Sequence, residues 1–327
     1  MSTVTLRLMI PVIAGVLCVS MAPWSAVRAA RNFTQTISAD PQGSVEIEAI
    51  SGSVDVEGWG RPEIEITGTP DDLGDRVRLS SSGGKTTIHI MPYSIHGGGS
   101  GDDVRLMVHV PAKSSVSTSL VNGNLKVKGL QGDAHLRTIN GTIDGEVDGN
   151  LRVNSVSGAV RLSAPSAERI EIKSFSGDVQ LSGGSGEAEV TTVSGRIQAD
   201  LGSLTHGRFK SISGNVTANF STARNAEIEG ESVSGKIRFG FASVPDADVD
   251  VESFSGTIDN CFGPKPTRSQ YGPGSKLIFK GGDGHGNVHI VTQSGDIQIC
   301  TGSAHASPAA FSVPQRARCW RDMLYVI

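Results

Sequence analysis

Hydrophobic and polar positions between Asn122 and Gly256 follow one pattern that returns about every nineteen residues. Each copy has an aliphatic or aromatic residue, then Ser or Asn, then Gly, then an aliphatic residue two positions later, as in Val156-Ser157-Gly158-Ala159-Val160. Two outlying copies are centred on Gly52 and Gly295, and the consecutive copies on Gly123, Gly141, Gly158, Gly177, Gly195, Gly214, Gly235 and Gly256. A fixed period of this length is typical of a solenoid, in which one repeat cannot bury its hydrophobic face alone.

Five hydrophobic slots recur around each glycine, at positions −7, −5, −2, +2 and +4. In the copy at Gly158 they are filled by Leu151, Val153, Val156, Val160 and Leu162. Alternation with period two on both sides of the glycine predicts two short strands, each with one buried face. The Ser/Asn-Gly pair predicts the bend between them, because glycine tolerates positive φ and the short polar side chain can bond its own backbone.

The pattern therefore predicts an all-β protein, a parallel β-solenoid with coils of about 17–21 residues and equivalent slots stacked about 4.8 Å apart. Ser-Gly pairs also occur in hairpins, so a meander of antiparallel strands is the alternative. The near-constant period favours parallel coils, because each copy resembles the next as a whole.

A column of hydroxyl residues lies three positions before the glycine. Its members are Thr138, Ser155, Ser174, Thr192, Ser211, Ser232 and Ser253. We expect a ladder near the corner of the coil, hydrogen-bonded along the stack or to the turn backbone. A catalytic serine needs one base held against it, and a run of equivalent serines lacks that singularity.

The chain divides into four predicted segments. Residues 1–29 have Arg7, a short apolar run and a small-residue ending at Ala29, which predicts a secretory signal peptide and an exported protein. That run is too short to span a bilayer, so we expect no transmembrane anchor. Residues 30–112 are predicted to form an irregular N-terminal β cap, 113–301 the solenoid with an insertion near 262–281, and 302–327 an irregular or disordered tail.

Two cysteines, Cys261 and Cys300, each lie five residues after their glycine and so occupy the same slot. If the segment between them loops out of the stack, the slots are neighbours and a disulfide can form. If it forms a full coil, they are about 9.6 Å apart, beyond bridging distance. We favour the disulfide because an exported protein folds in an oxidising compartment.

Composition and charge exclude several classes of function. The net charge of −4 provides no basic surface for nucleic acid, and aromatic residues make up only 5% of the chain. The eight histidines show no metal-ligand spacing, so no metal or cofactor is predicted. Position −6 forms an outward column of mixed charge: His135, Arg152, Glu171, Glu189, Arg208, Glu229 and Asp250. It is typical of a solvated face.

Several motifs together resemble the bacterial putative adhesin family. They are the repeated Ser-Gly-x-Val phrases, Ser51-Gly52-Ser53-Val54 followed by Gly58-Trp59, the strand exit Val108-His109-Val110-Pro111, and the closure from Asn260-Cys261 to Ile299-Cys300. The resemblance covers about residues 33–301 and implies exported or envelope-associated β-strand repeat proteins of undefined biochemical role. It implies a β-solenoid fold and transfers no binding residues.

Three functions fit these expectations. The first is a non-enzymatic adhesin-like or scaffold protein that presents a ladder surface to an envelope protein or a surface glycan. The second is an envelope-stress sensor or inhibitor that binds a peptide by adding a strand to an exposed edge. The third is a β-helical polysaccharide-degrading enzyme, which would need two converging carboxylates, one with a raised pKa. No acidic pair flanked by aromatic residues occurs at matching slots in adjacent coils, and the outward carboxylates interleave with Lys and Arg, so we predict that the protein is not an enzyme.

Overall fold

The computed structural model describes residues 33–69, 77–91, 105–268 and 273–302, and these residues form an all-β protein. The N-terminal strands are β1 (Phe33–Ser38), β2 (Ser44–Ser51), β3 (Ser53–Trp59), β4 (Glu63–Thr69), β5 (Val77–Ser82), β6 (Lys85–Ile90) and β7 (Arg105–Pro111). The central strands are β8 (Ser115–Asn122), β9 (Leu125–Leu130), β10 (Ala134–Asn140), β11 (Ile143–Val147), β12 (Leu151–Ser157), β13 (Val160–Ser163), β14 (Arg169–Ser176), β15 (Val179–Ser182), β16 (Gly186–Ser194), β17 (Ile197–Ser213) and β18 (Val216–Ser234). The C-terminal strands are β19 (Ile237–Phe241), β20 (Ala247–Ser255), β21 (Ile258–Asn260), β22 (Thr267–Arg268), β23 (Ser275–Lys280), β24 (Gly286–Ser294) and β25 (Ile297–Thr301).

Successive central repeats stack in parallel and in register. Leu151 of β12 lies opposite Ile170 of β14, and Val160 of β13 lies opposite Val179 of β15. Neighbouring repeats therefore run in the same direction, and the antiparallel meander is not the arrangement of this part of the chain. We call the two strands on either side of one turn glycine a coil and name it by that glycine.

The sheet as a whole is mixed, which corrects the expectation of a purely parallel sheet. At the N-terminal end, β4 pairs antiparallel with β1 and β7, and β5 with β6. At the other end, β23 pairs antiparallel with β20 and with β22. Outermost strands expose unpaired backbone groups, and at both ends of this stack antiparallel strands cover the parallel coils.

Coils at the ends do not follow chain order. The Gly52 coil lies between β6–β7 on one side and β8–β9 on the other. The Gly295 coil, which is the last in the sequence, is inserted between the Gly235 and Gly256 coils. The predicted insertion near 262–281 contains β22 and β23, and β23 lies against the outer edge of β20.

The inserted coil is linked covalently to its outer neighbour. Cys261 and Cys300 form a disulfide with 4.8 Å between their Cα atoms and 39 residues between them in the chain. Between them β23 lies against the outer edge of β20, and the chain then enters the stack one coil further in, as β24 and β25.

Asp296 of the inserted coil contacts both neighbouring coils. One carboxylate oxygen accepts hydrogen bonds from the backbone N–H and the hydroxyl of Thr257, and the other lies 3.1 Å from Lys236 Nζ. The bond to the Lys236 ammonium, with the two Thr257 bonds, lowers the pKa of Asp296 below its ordinary value. The ionised carboxylate therefore helps to hold three coils together.

We expect acid to weaken this junction. A carboxyl whose pKa is lowered by folding contributes stability above its unfolded pKa, about 3.9, and loses it as pH falls through the folded value. Asp296→Asn keeps the acceptor for Thr257 but removes the charge, so its thermal stability should fall less than wild type between neutral pH and about pH 2. Asp55→Asn, at a carboxylate with no ion pair among the described residues, is the control. Equal acid sensitivity of Asp296→Asn and wild type would contradict this role.

The assignment of position −2 to the core is wrong. Positions −7, −5 and −3 point inward, so strict alternation turns position −2 outward: Val156 is 48% exposed and Phe175 is 60% exposed. The buried slots are instead −7, −5, +2 and +4, as with Leu151, Val153, Val160 and Leu162 in the Gly158 coil. The sequence template included every recurring hydrophobic position, although position −2 is an even number of residues from the outward positions −6 and −4.

The hydroxyl column at position −3 completes the inward face. Its residues are buried, but the expected hydrogen-bonded ladder along the stack is absent among the described residues. Ser253 alone in the column donates to the turn backbone, at the carbonyl of Gly295, 3.0 Å away. The other six residues of the column have side-chain oxygens without a hydrogen-bond partner, namely Thr138, Ser155, Ser174, Thr192, Ser211 and Ser232.

Turn glycines pack directly on one another from coil to coil. The φ of Gly158 is +126°, and a Cβ added there would overlap the carbonyl oxygen of Gly141. The same overlap with the glycine of an adjacent coil occurs at Gly123, Gly141, Gly177, Gly195, Gly214, Gly235, Gly256 and Gly295. All of these except Gly256 have positive φ. Glycine is therefore required here for close approach of backbones as well as for the bend.

The predicted signal peptide at 1–29 and, apart from residue 302, the predicted tail at 302–327 lie outside the described residues. Within the described residues, no helix has the length and hydrophobicity needed to cross a membrane.

Candidate interaction surface

One broad face of the protein presents four parallel columns of side chains to solvent. These columns are positions −8, −6, −4 and −2 of the strands that precede the turn glycines, and we call them together the ladder face. Its strands are β2, β8, β10, β12, β14, β16, β24, β20 and the C-terminal halves of β17 and β18. Parallel pairing in register places each column in a straight line along the stack.

Position −2 forms an exposed hydrophobic line, the apolar ridge. Its most exposed members are Ile50, Ile139, Val156, Phe175, Ile212, Val233 and Phe254. Val121 and Val193 occupy the same position and are half-buried, and Gln293 interrupts the line in the inserted coil. Single exposed hydrophobic residues are ordinary on protein surfaces, but a contiguous line of them marks an interaction site.

Charged side chains beside the ridge pair with one another both within a coil and between adjacent coils. Arg152 Nε lies 2.9 Å from Glu171 Oε2, and Lys173 Nζ lies 2.6 Å from Glu171 Oε1. Further pairs join Arg169 to Glu187 and Lys210 to Glu231, at 2.7 and 2.9 Å. Alternating charge in adjacent coils thus neutralises the face locally, although exposed pairs of this kind stabilise the fold little.

These pairs keep their members ionised. A hydrogen bond from Lys173 lowers the pKa of Glu171, and the same contact raises the pKa of Lys173. A hydrogen bond from Lys210 to Glu231 likewise raises the pKa of Lys210. A hydrogen bond from Arg208 to Glu229 raises the pKa of Arg208. The pKa of Glu171 is displaced in the direction opposite to that of a general acid.

Arg152, Arg169, Glu187, His206 and Glu227 border a shallow groove at the middle of the ladder face. The described residues contain no group of three or more His, Cys, Asp or Glu side chains placed to hold a metal ion. The groove is lined mainly by charged side chains.

Sequence reasoning located only part of this surface. The column at position −6 was recognised as outward, and it lies on the ladder face. The ridge was missed because hydrophobic residues at position −2 were assigned to the core. The buried hydroxyl one position earlier was the signal that could have corrected this, because it continues the period of two from positions −7 and −5.

The fold and this surface define an all-β repeat protein whose coils stack in parallel and expose one apolar ridge. The chain belongs to the Toastrack DUF4097 family, whose model matches residues 43–300. This confirms the resemblance to bacterial putative adhesins.

Solved structures with low sequence identity are also similar to the chain. A putative adhesin from Bacteroides fragilis NCTC 9343 is 10% identical, with 83% of this chain and 97% of that chain covered and a TM-score of 0.38. One from Parabacteroides merdae ATCC 43184 is 15% identical over 82% and 97% of the two chains, with a TM-score of 0.30. A putative lipid binding protein from Parabacteroides distasonis ATCC 8503 is 11% identical over 85% and 96%, with a TM-score of 0.27. No curated protein shows significant sequence similarity to this chain.

Proposed function

We propose that this chain is an exported, non-enzymatic β-solenoid protein of adhesin-like or scaffold type that binds a cell-envelope partner through the ladder face. The observation that carries the proposal is the apolar ridge, which runs along the stack beside paired charges. Export is supported by the signal-like sequence at residues 1–29 and by the disulfide, which suits an oxidising compartment.

A protein partner suits this surface better than a surface glycan does. The ridge is mainly aliphatic, with only Phe175 and Phe254 as exposed aromatic members. Aliphatic side chains beside balanced charge favour a protein surface of matching shape. The ionised carboxylates argue against a polysaccharide-degrading enzyme, since Glu171 and Glu229 both have lowered pKa values.

Strand addition is the second candidate function, and the edge of β23 favours it. Beyond its pairing with β20, this strand pairs with β22 only at Lys276 and Ser275 among the described residues. Ile278 in the same strand is 66% exposed. An extended peptide could add to this edge by backbone hydrogen bonds.

The proposal predicts that ridge residues matter for binding and little for folding. Replacing Phe175 and Phe254 by Ser should lower binding of the labelled full chain to cells of the producing bacterium at least tenfold. Because both side chains are already exposed, the free energy of unfolding should change by about 1 kcal/mol or less. Flow cytometry measures the binding, and urea denaturation the stability.

Gln180→Ser is the matched control, since Gln180 is exposed on the other strand of the Gly177 coil. It should leave binding unchanged. Protease treatment of the cells before binding separates a protein partner from a glycan. Equal binding by wild type and the Phe175→Ser/Phe254→Ser variant would overturn the ladder face as the binding surface.

A further inference from the structure

We propose that the partner of the ladder face is the same face of a second copy of this chain, packed with the two stacks antiparallel. The inference rests on the proposed function, because it identifies what the face binds. It is carried by the order of charges along the coils, in which opposite pairs outnumber like pairs in one register.

A two-fold axis parallel to the strands generates this arrangement. Such a rotation reverses the order of coils but keeps each column, so position −2 faces position −2 and position −4 faces position −4. With the axis between the Gly195 and Gly214 coils, the Gly177 coil of one copy faces the Gly235 coil of the other. Because Gly295 is the inserted coil, the Gly141 coil then faces the Gly256 coil.

Position −4 brings opposite charges together in this register. Lys173 faces Glu231 of the second copy, and Arg137 faces Glu252. At position −8, Arg169 faces Glu227, although Asp133 faces Asp248. At position −6, Glu189 faces Arg208, although Glu171 faces Glu229. Each of these contacts occurs twice because a two-fold interface is isologous.

The apolar ridge meets itself in the same register. Phe175 faces Val233 of the second copy, and Ile139 faces Phe254, so a large side chain meets an aliphatic one in both pairs. The half-buried Val193 faces the exposed Ile212 near the axis. Burial of these side chains removes from water the hydrophobic area that the single chain leaves exposed.

Neighbouring registers are disfavoured by like charges. A shift of the axis by half a coil toward the N-terminal end puts Lys173 opposite Lys210. A shift of half a coil the other way puts Lys210 opposite itself and Arg137 opposite Lys276 of β23. Opposed like charges disfavour a register, so the charges at position −4 favour the first alignment, although the shift toward the N-terminal end would pair Glu171 with Arg208 at position −6.

The face is large enough for a stable dimer. The eight coils that face each other in this register, at about 4.8 Å each, and seven strand residues at about 3.3 Å give on the order of 900 Å² per copy. Specific protein interfaces bury about 800 Å² per partner. Lys173 and Lys210 already have intrachain carboxylate partners, so pairing between copies extends these networks.

Charge reversal with the full chain tests the inference. Wild type should sediment as a dimer at micromolar concentration, and Lys173→Glu should raise the dimer dissociation constant at least tenfold. The Lys173→Glu/Glu231→Lys variant should regain dimerisation. Its intrachain contacts to Glu171 and Lys210 become repulsive, so recovery can come only from the contact between copies. Thermal denaturation checks that each variant is folded.

Cysteine pairing provides a second measurement. A mixture of Phe175→Cys and Val233→Cys chains should form a disulfide-linked heterodimer in excess over either homodimer. Monomeric wild type at tens of micromolar, or a double variant no better than Lys173→Glu, would overturn the inference. If the monomer still loses cell binding in Phe175→Ser/Phe254→Ser, the proposed function stands and the self-pairing fails. If the wild type dimerises as predicted but binds no cells, the self-pairing stands and the proposed function fails.

Discussion

Gly158→Ala should lower the free energy of unfolding by about 3 to 5 kcal/mol and the Tm by roughly 10 °C. Two causes add. The φ of +126° is strained for a residue with a side chain, and the new Cβ would overlap the carbonyl oxygen of Gly141. Because that oxygen belongs to backbone, the two coils must separate locally, which weakens pairing of β11 with β13. Urea denaturation of the full chain measures the loss.

Gly60→Ala is the matched control for this effect. Gly60 is exposed, lies outside the left-handed region and has no atom near the position of an added Cβ. Its substitution should change the free energy of unfolding by about 0.5 kcal/mol or less. Equal losses in the two variants would show that close approach of the turn glycines does not limit stability.

Cys261→Ala/Cys300→Ala should cost about 4 kcal/mol of stability, from the chain-entropy estimate for a loop of 39 residues. The loss should be local. Strands β24 and β25 have to stay inserted between coils that precede them in the chain, and the disulfide holds the outer coil against them. Hydrogen exchange should therefore rise more in β24 and β25 than in β12 and β13, which lie in the middle of the stack.

Reduction of the wild type provides the control for the cysteine variant. A reducing agent should bring wild type to the stability of the Cys261→Ala/Cys300→Ala variant and leave that variant unchanged. If exchange increased equally in all strands, the disulfide would stabilise the protein as a whole and not the inserted coil in particular.

The interior of the C-terminal part illustrates what a repeat template cannot foresee. Phe209 and Phe239 have ring centroids 5.5 Å apart, and an added Cβ at Gly230 would approach the Phe239 ring. Gly230 lies opposite Phe209 in the neighbouring coil, at a position where most other coils have an aliphatic residue. A large side chain in one coil is accommodated by a small one in the next, and each residue is explained only by its neighbour.

Period-two alternation and the recurring glycines were sufficient to predict an all-β protein with stacked coils, because both are local properties of the chain. The sequence also showed that Cys261 and Cys300 occupy equivalent positions in two coils, because each lies five residues after its turn glycine. Residue type alone could not show whether position −2 is buried or exposed, since Val156 and Val153 are both valines. They differ only in which side of the alternating strand they occupy.

Amino-acid sequence by itself determined the coil, namely its length, its two strands and the glycine where it bends, because each depends on residues close together in the chain. Tertiary structure decided the order of the coils at both ends, the antiparallel strands that cover them and the use of the hydrophobic residues at position −2. All coils carry nearly the same template, so the template cannot specify which neighbour a coil takes. That choice depends on long-range contacts such as Asp296 with Lys236 and Thr257, which form only when the inserted coil is in place.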